Sequence, residues 1–160
     1  MPNWCRCELT VEGPKADVDR FMELAQDDGS HEQRYRPYPD VDEKLQARKR
    51  REMNPLCFNK LYPVPDKIQA GSYDPDGYDW EHANWGCKWG ACSASLDDVS
   101  YSKGEGYLRY TFDTPWQPPK GLVMWVSLQF PTLTFEMEWE EEAMLVKGSG
   151  TWKAGKYGKG

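Results

Sequence analysis

Thr132-Leu133-Thr134-Phe135-Glu136-Met137-Glu138-Trp139-Glu140 alternates between apolar and polar residues without a break. Side chains on a strand point to opposite faces in turn, so this stretch predicts a strand with one buried face and one wet face. Leu133, Phe135, Met137 and Trp139 face inward, and Thr134, Glu136, Glu138 and Glu140 face water. Such a strand belongs to an antiparallel sheet covered on one side only.

Working outward, Trp4 to Glu12 has the same period, with Cys5, Cys7, Leu9 and Val11 on one face and Trp4, Arg6, Glu8 and Thr10 on the other. Gly13-Pro14 ends that strand, and Pro14 suits a helix start. Val18, Phe21, Met22 and Ala25 then recur at helical spacing before Asp27-Asp28-Gly29. Ala91 to Ser102 predicts a weak strand with Cys92, Ala94 and Leu96 on one face. Gly104-Glu105-Gly106 makes a hairpin turn, and Tyr107 to Asp113 a strand with Leu108, Tyr110 and Phe112 inward. Thr114 is placed as a cap before a helix from about Pro118, in which Leu122, Val123, Trp125, Val126 and Phe130 supply the apolar stripe before Pro131. The order β-α-β-β-α-β is the ferredoxin-like, split βαβ class of α+β folds, with helices on one face of the sheet.

Residues 30–78 fit neither period and are read as an insertion lying on this domain. Within them Val41, Leu45 and Met53 suggest a helix carrying Arg48, Lys49, Arg50 and Arg51, stopped by Asn54-Pro55. A short helical piece is expected from Trp80 to Trp89. Beyond Glu140, Ala143 to Val146 is expected to pair as a short hairpin strand. The domain is bounded at residues 1–146, and the Gly- and Lys-rich residues 147–160 are expected to be a flexible tail.

At 160 residues the chain is long enough to bury a core without disulfide or metal staples. Its net charge of -6 argues against general coating of nucleic acid, which needs Lys and Arg to neutralise phosphates. The open face predicted here displays Arg6, Glu8, Thr10, Arg109, Thr111, Glu136 and Glu138, not the aromatics with which such sheets stack RNA bases. No run approaches the roughly 18 apolar residues of a membrane span, and Met1-Pro2-Asn3-Trp4 is no signal peptide, so a cytoplasmic protein is expected. Cys5, Cys7, Cys57, Cys87 and Cys92 lack the C-x2-C spacing of a zinc knuckle and read as reduced, small apolar residues. No metal or cofactor is expected.

The candidate site is Asn84-Trp85-Gly86-Cys87-Lys88-Trp89 together with Thr114-Pro115-Trp116-Gln117-Pro118-Pro119. Trp carries a large apolar body and an N–H that wants a partner, so turn-borne Trp clusters mark either a packing joint or a binding surface. Asn84, Trp85, Lys88, Trp89 and Trp116 are the ligand- or partner-binding candidates. The plainer reading is a joint at the strand-to-helix corner. Arg48, Lys49, Arg50 and Arg51 form a second candidate patch, and Glu136, Glu138 and Glu140 a third. Their plain readings are an exposed helix face and a solvated edge strand. His82 has no nucleophile or carboxylate placed beside it by the sequence, and Gly104-x-Gly106 is a turn and not a phosphate loop. No catalytic residues are assigned.

Four blocks carry a resemblance. Met1-Pro2-Asn3-Trp4-Cys5, Asn84 to Trp89, Phe112 to Pro119 and Phe130 to Glu136 are similar to the YubB-like family, ferredoxin-like proteins of bacteriophages and conjugative plasmids. The chain departs from the family pattern at Cys7, Cys87 and Gly90, where the family carries Asn, Thr and Asp. The resemblance implies a fold and a mobile-element origin, and it implies no established activity. With the charge, it leads to the expectation of a non-catalytic accessory protein that binds and inhibits a host protein, such as a component of anti-phage defence, in the manner of an anti-CRISPR. The alternative is a binder that sequesters a nucleotide-type small molecule among the indoles. A nucleic-acid-binding protein or an enzyme ranks third.

Overall fold

The computed structural model describes residues 2–27, 54–143 and 146–160. Strand β1 (Trp4–Pro14) leads into helix α1 (Lys15–Ala25). After residue 53 come two single-turn helices, α2 (Phe58–Leu61) and α3 (Asp66–Gln69), a π turn at Tyr73–Gly77, and α4 (Tyr78–Asn84). Strands β2 (Cys92–Ser102) and β3 (Glu105–Pro115) follow as a hairpin, then α5 (Lys120–Gln129), β4 (Thr134–Glu141), β5 (Val146–Lys153) and β6 (Lys156–Lys159).

The sheet runs β2-β3-β1-β4-β5-β6, every pair antiparallel. Its first four strands are the split βαβ order the periodicity predicts. The alternation in β1, β3 and β4 sets the register. Cys7 lies between Phe112 and Trp139, and Val11 between Leu108 and Phe135, so inward residues form continuous rows. Phe21 of α1 seals those rows, meeting Tyr110, Phe130 and Phe135 edge to face at 5.5–6.2 Å. Leu56, Phe58, Leu61 and Val64 enter the same core, so residues 54–64 are built into the domain. The basic patch Arg48, Lys49, Arg50 and Arg51 lies outside the described residues.

The carboxyl-terminal expectation is corrected. Residues 146–160 are not a flexible tail: they form β5 and β6, and the strand expected to end at Val146 begins there and runs to Lys153. Gly148 and Gly150 occupy inward positions that would ordinarily carry apolar side chains. A Cβ on Gly148 would come within 2.3 Å of the Trp139 ring, and one on Gly150 within 2.5 Å of Tyr157. Neighbouring aromatic rings fill the space, and Trp152 is 1 % exposed.

Two smaller expectations also change. Thr114 does not cap the helix: it pairs with Cys5 inside the sheet, and its hydroxyl donates to the Gln117 carbonyl at 2.6 Å. Helix α5 starts later, at Lys120, with no side-chain cap. Strand β4 is not an edge strand, since β5 covers it, and Glu141 at its end is buried.

Candidate functional site

The two predicted Trp segments meet at one end of the sheet. The Leu122 N–H donates to the Trp85 carbonyl at 3.1 Å, and the Trp116 N–H to the Asn3 carbonyl at 2.8 Å. A Cβ on Gly121 would fall 2.1 Å from the Asn84 carbonyl oxygen, so only glycine lets the start of α5 lie this close to the end of α4.

The five candidates divide into a joint and a surface. Trp85 is 4 % exposed; its indole N–H donates to the Tyr62 carbonyl at 2.9 Å, and its ring meets Phe58 and Trp80 edge to face. Asn84 accepts from the Tyr62 hydroxyl at 3.0 Å and donates to the Trp80 carbonyl at 2.8 Å. Tyr62 in turn stacks on Trp125 at 4.3 Å. Asn84 and Trp85 are thus engaged in the joint, with the Asn84 amide and the Trp85 indole N–H hydrogen-bonded within the fold.

Trp89 and Trp116 are 49 % and 46 % exposed. Both sit in the left-handed backbone region, with φ of 73° and 66°. An aromatic residue there is a genuine outlier, since its Cβ crowds the following carbonyl, at a cost of about 1–2 kcal/mol. Among the described residues the two indoles make no ring contact with each other or with Trp85. Glu81, buried in α4, holds the first of them in place: its carboxylate accepts the Trp89 N–H at 2.7 Å and the Tyr73 hydroxyl at 3.2 Å. The Lys88 ammonium lies 4.2 Å from the Trp89 ring centroid and 5.9 Å from that of Tyr78. Tyr78 is itself in ring contact with His82 at 4.4 Å, and the His82 Nε2 is buried with no hydrogen-bond partner among the described residues. Tyr78, His82 and Glu81 were not among the predicted site residues, although their i, i+3 and i+4 spacing on one short helix was visible.

The open sheet face carries the third patch. Arg6, Glu8, Thr10, Arg109, Thr111, Glu136 and Glu138 lie on it as predicted, and the register adds Asp113, Lys147, Ser149 and Thr151. Glu140 is paired with Lys147 at 3.4 Å, and Arg6 with Asp113 at 3.7 Å. Glu8 and Glu138 stand directly opposite one another, and among the described residues neither they nor Glu136 has an ion-pair partner. Asp97 is hydrogen-bonded by Ser95 and by Thr111, which hold its carboxyl below the usual range.

The cysteines are free. Cys5, Cys7 and Cys87 are fully buried; the Cys7 hydrogen bond lowers the Cys5 thiol, and the same contact with burial pushes Cys7 up. Among the described residues no three His, Cys, Asp or Glu side chains are grouped to hold a metal ion, and no helix is long and apolar enough to cross a membrane. A shallow depression of about 280 Å³ lies at the far end of β1, lined by Glu12, Ser100, Tyr101, Glu105 and Tyr107 among others; it contains none of the predicted site residues.

A family described as the ferredoxin-like domain in Api92-like protein matches residues 88–158, less than half of the chain and spanning β2 to β6. No curated protein matches. The crystal structure of a protein api92 from Yersinia pseudotuberculosis superposes with a TM-score of 0.62 at 12 % identity, over 100 % of this chain and 98 % of that one. At that identity the likeness concerns architecture alone, and it agrees with the strand order: the chain has a ferredoxin-like fold extended by a carboxyl-terminal hairpin.

Proposed function

We propose that the protein is a non-catalytic accessory protein of a phage or plasmid that binds a host protein, of the kind that defends against phage, and blocks it by occupancy. The observation that carries this reading is the pair Trp89 and Trp116, half-exposed on strained backbone at one end of the sheet. Folding alone gains nothing from holding an indole in the left-handed region and then leaving half of it in water. Strain of this kind collects where a surface is built for contact. Exposed Trp is also the side chain most often found at the energetic centre of protein interfaces. Glu8, Glu136 and Glu138, which have no ion-pair partner among the described residues, would favour a partner with a basic surface. The mobile-element origin is supported by the sequence resemblance alone.

The test is capture from host lysate at near-physiological salt, repeated with Trp89→Gly and Trp116→Gly. The proposal expects one host protein held in stoichiometric amount by the wild type, released by either substitution, and inhibited in its own assay when reconstituted with the pure chain. Failure to retain any host protein, or retention unaffected by both substitutions, would overturn it.

A second reading rests on Lys88, whose ammonium lies over the rings of Trp89 and Tyr78, 4.2 and 5.9 Å from their centroids. A cation flanked by two aromatic faces can bind a planar anion such as a nucleotide by stacking and charge together. A ligand present at a hundredfold its dissociation constant would add about 2.7 kcal/mol of stability. That is a rise of roughly 5–11 °C for a chain of this size. A panel of nucleotides that leaves the melting temperature unmoved removes this reading.

A further inference from the structure

We propose that the β5–β6 hairpin is a docking edge for single-stranded nucleic acid, separate from the Trp-bearing end. Residues 146–160 contain Lys147, Lys153, Lys156 and Lys159 and no Asp or Glu, in a chain whose net charge is -6. Lys147 is engaged by Glu140, whereas Lys153, Lys156 and Lys159 form no ion pair with the described residues. Lys153 and Lys156 are register partners across the Ala154-Gly155 turn. Like charges placed directly opposite destabilise a strand pair, so an anion lying over this turn would relieve the repulsion.

The hairpin is rigid enough to act as a platform. The Gly155 N–H donates to the Ser127 hydroxyl at 3.0 Å, and a Cβ at Gly155 would lie 2.4 Å from the Leu128 side chain, so the turn is seated on α5. Tyr157 is 45 % exposed, yet its ring rests against buried Trp152 at 4.9 Å. The register puts Tyr157 and Lys159 on the helix side of the hairpin, with Trp152 and Gly150, and Lys153 and Lys156 on the open side, so a single strand lying along the edge can set an unstacked base on the phenol while its phosphates meet lysines of both sides. Among the described residues no strand lies beyond β6, so a ligand chain can run along this edge. Glu136 and Glu138 share the open side with Lys153 and Lys156 but lie further in, on β4, where they repel phosphate from the middle of the sheet. This differs from recognition by stacking across the middle strands of a sheet. A single strand is favoured over a duplex because only a splayed base can reach Tyr157.

The experiment is fluorescence anisotropy of a labelled single-stranded oligonucleotide of mixed sequence, titrated with the whole protein from 50 to 200 mM salt. Three released counterion sites predict a log–log salt slope of about -2, hence about a 20-fold loss of affinity over that range. Lys153→Gln alone lowers the slope by about 0.7, and the triple Lys153→Gln, Lys156→Gln, Lys159→Gln protein loses binding. Tyr157→Ala weakens binding at least about fivefold and Tyr157→Phe does not, which keeps the stacking claim testable if the alanine variant disturbs the hairpin. Far-UV circular dichroism confirms that each variant remains folded. No anisotropy change at 50 mM salt overturns the proposal, as does binding that survives the triple substitution. Equal affinity for a duplex or for a glutamate polymer of the same length overturns it too.

Discussion

The carboxylate of Glu81 accepts the backbone N–H of Trp89 at 2.7 Å, and this bond fixes the most exposed indole of the Trp segments on a left-handed residue. Glu81 is 3 % exposed, so the bond is shielded from water. Replacing Glu81 with Ala removes it and leaves the N–H without its acceptor. The expected cost is about 1–3 kcal/mol, the range for a hydrogen-bonding group left without its partner. Chemical denaturation measures the loss, and Trp fluorescence should show a more mobile, redder emission before unfolding. Glu81→Gln keeps an acceptor and should recover about half of the loss. A Glu81→Ala protein as stable as wild type would mean that the loop holds Trp89 without this carboxylate.

The division between joint and surface predicts opposite outcomes for neighbouring indoles. Trp85→Ala empties a packed site among Phe58, Trp80 and Tyr62 and should cost about 3–5 kcal/mol. Trp89→Gly removes a half-exposed ring and the left-handed strain at once. Its melting temperature should stay within about 4 °C of wild type, corresponding to about 1 kcal/mol. Thermal melts of the two proteins check this. A large loss at Trp89 with little at Trp85 would reverse the assignment and remove the case for an indole-bearing contact surface.

Glu8 and Glu138 offer a test of the open sheet face. Two carboxylates directly opposite in an antiparallel pair repel, by a few tenths of a kcal/mol when partly exposed. Glu8→Gln should therefore stabilise the fold slightly at low salt, with the gain vanishing as salt screens the pair. Glu140→Gln should not stabilise, because Glu140 is matched by Lys147. If the face meets a basic partner, Glu8→Gln binds that partner less well while being the more stable protein. Urea titrations at low and high salt, set beside binding data, separate the two effects.

How much of this was legible in the sequence depended on where the apolar side chains came from. In β1, β3 and β4 each strand supplies its own inward residues, such as Val11, Tyr110 and Phe135, so a period of two was visible and the order of elements followed. Strand β5 escapes the pattern because its inward positions include Gly148 and Gly150, where the rings of Trp139 on β4, Tyr157 on β6 and its own Trp152 fill the volume. A strand with so few inward side chains of its own shows no alternation. The Trp site was half legible for a similar reason. Composition and turn residues located it, but whether an indole is sealed or exposed depends on backbone dihedral angles. Neighbouring Trp85 and Trp89 differ there by a reversal of φ that residue identity does not announce.

Buried thiols set the last expectation, a loss of stability in alkali. Burial raises the Cys57 and Cys87 thiols above their ordinary value of 9.0, and the contact with Cys5 together with burial raises Cys7. Burial raises the Tyr110 phenol as well, and its hydroxyl has no hydrogen-bond partner among the described residues. A raised acid stays protonated in the fold while the unfolded chain gives up its proton, so the folded state binds more protons above pH 9. Its stability is complete below the unfolded value and declines as pH rises past it. Each such thiol removes about 1.4 kcal/mol per pH unit above 9 until its folded value is reached. Cys5 is lowered by the Cys7 hydrogen bond and so works in the opposite direction, which partly offsets its neighbour. Cys87→Ala should accordingly flatten the decline between pH 9 and 11 while costing some packing at neutral pH. Urea midpoints across that range, under reducing conditions, provide the measurement. An unchanged slope in Cys87→Ala would mean that this thiol is reached by hydroxide in the folded protein, contrary to its burial in the core.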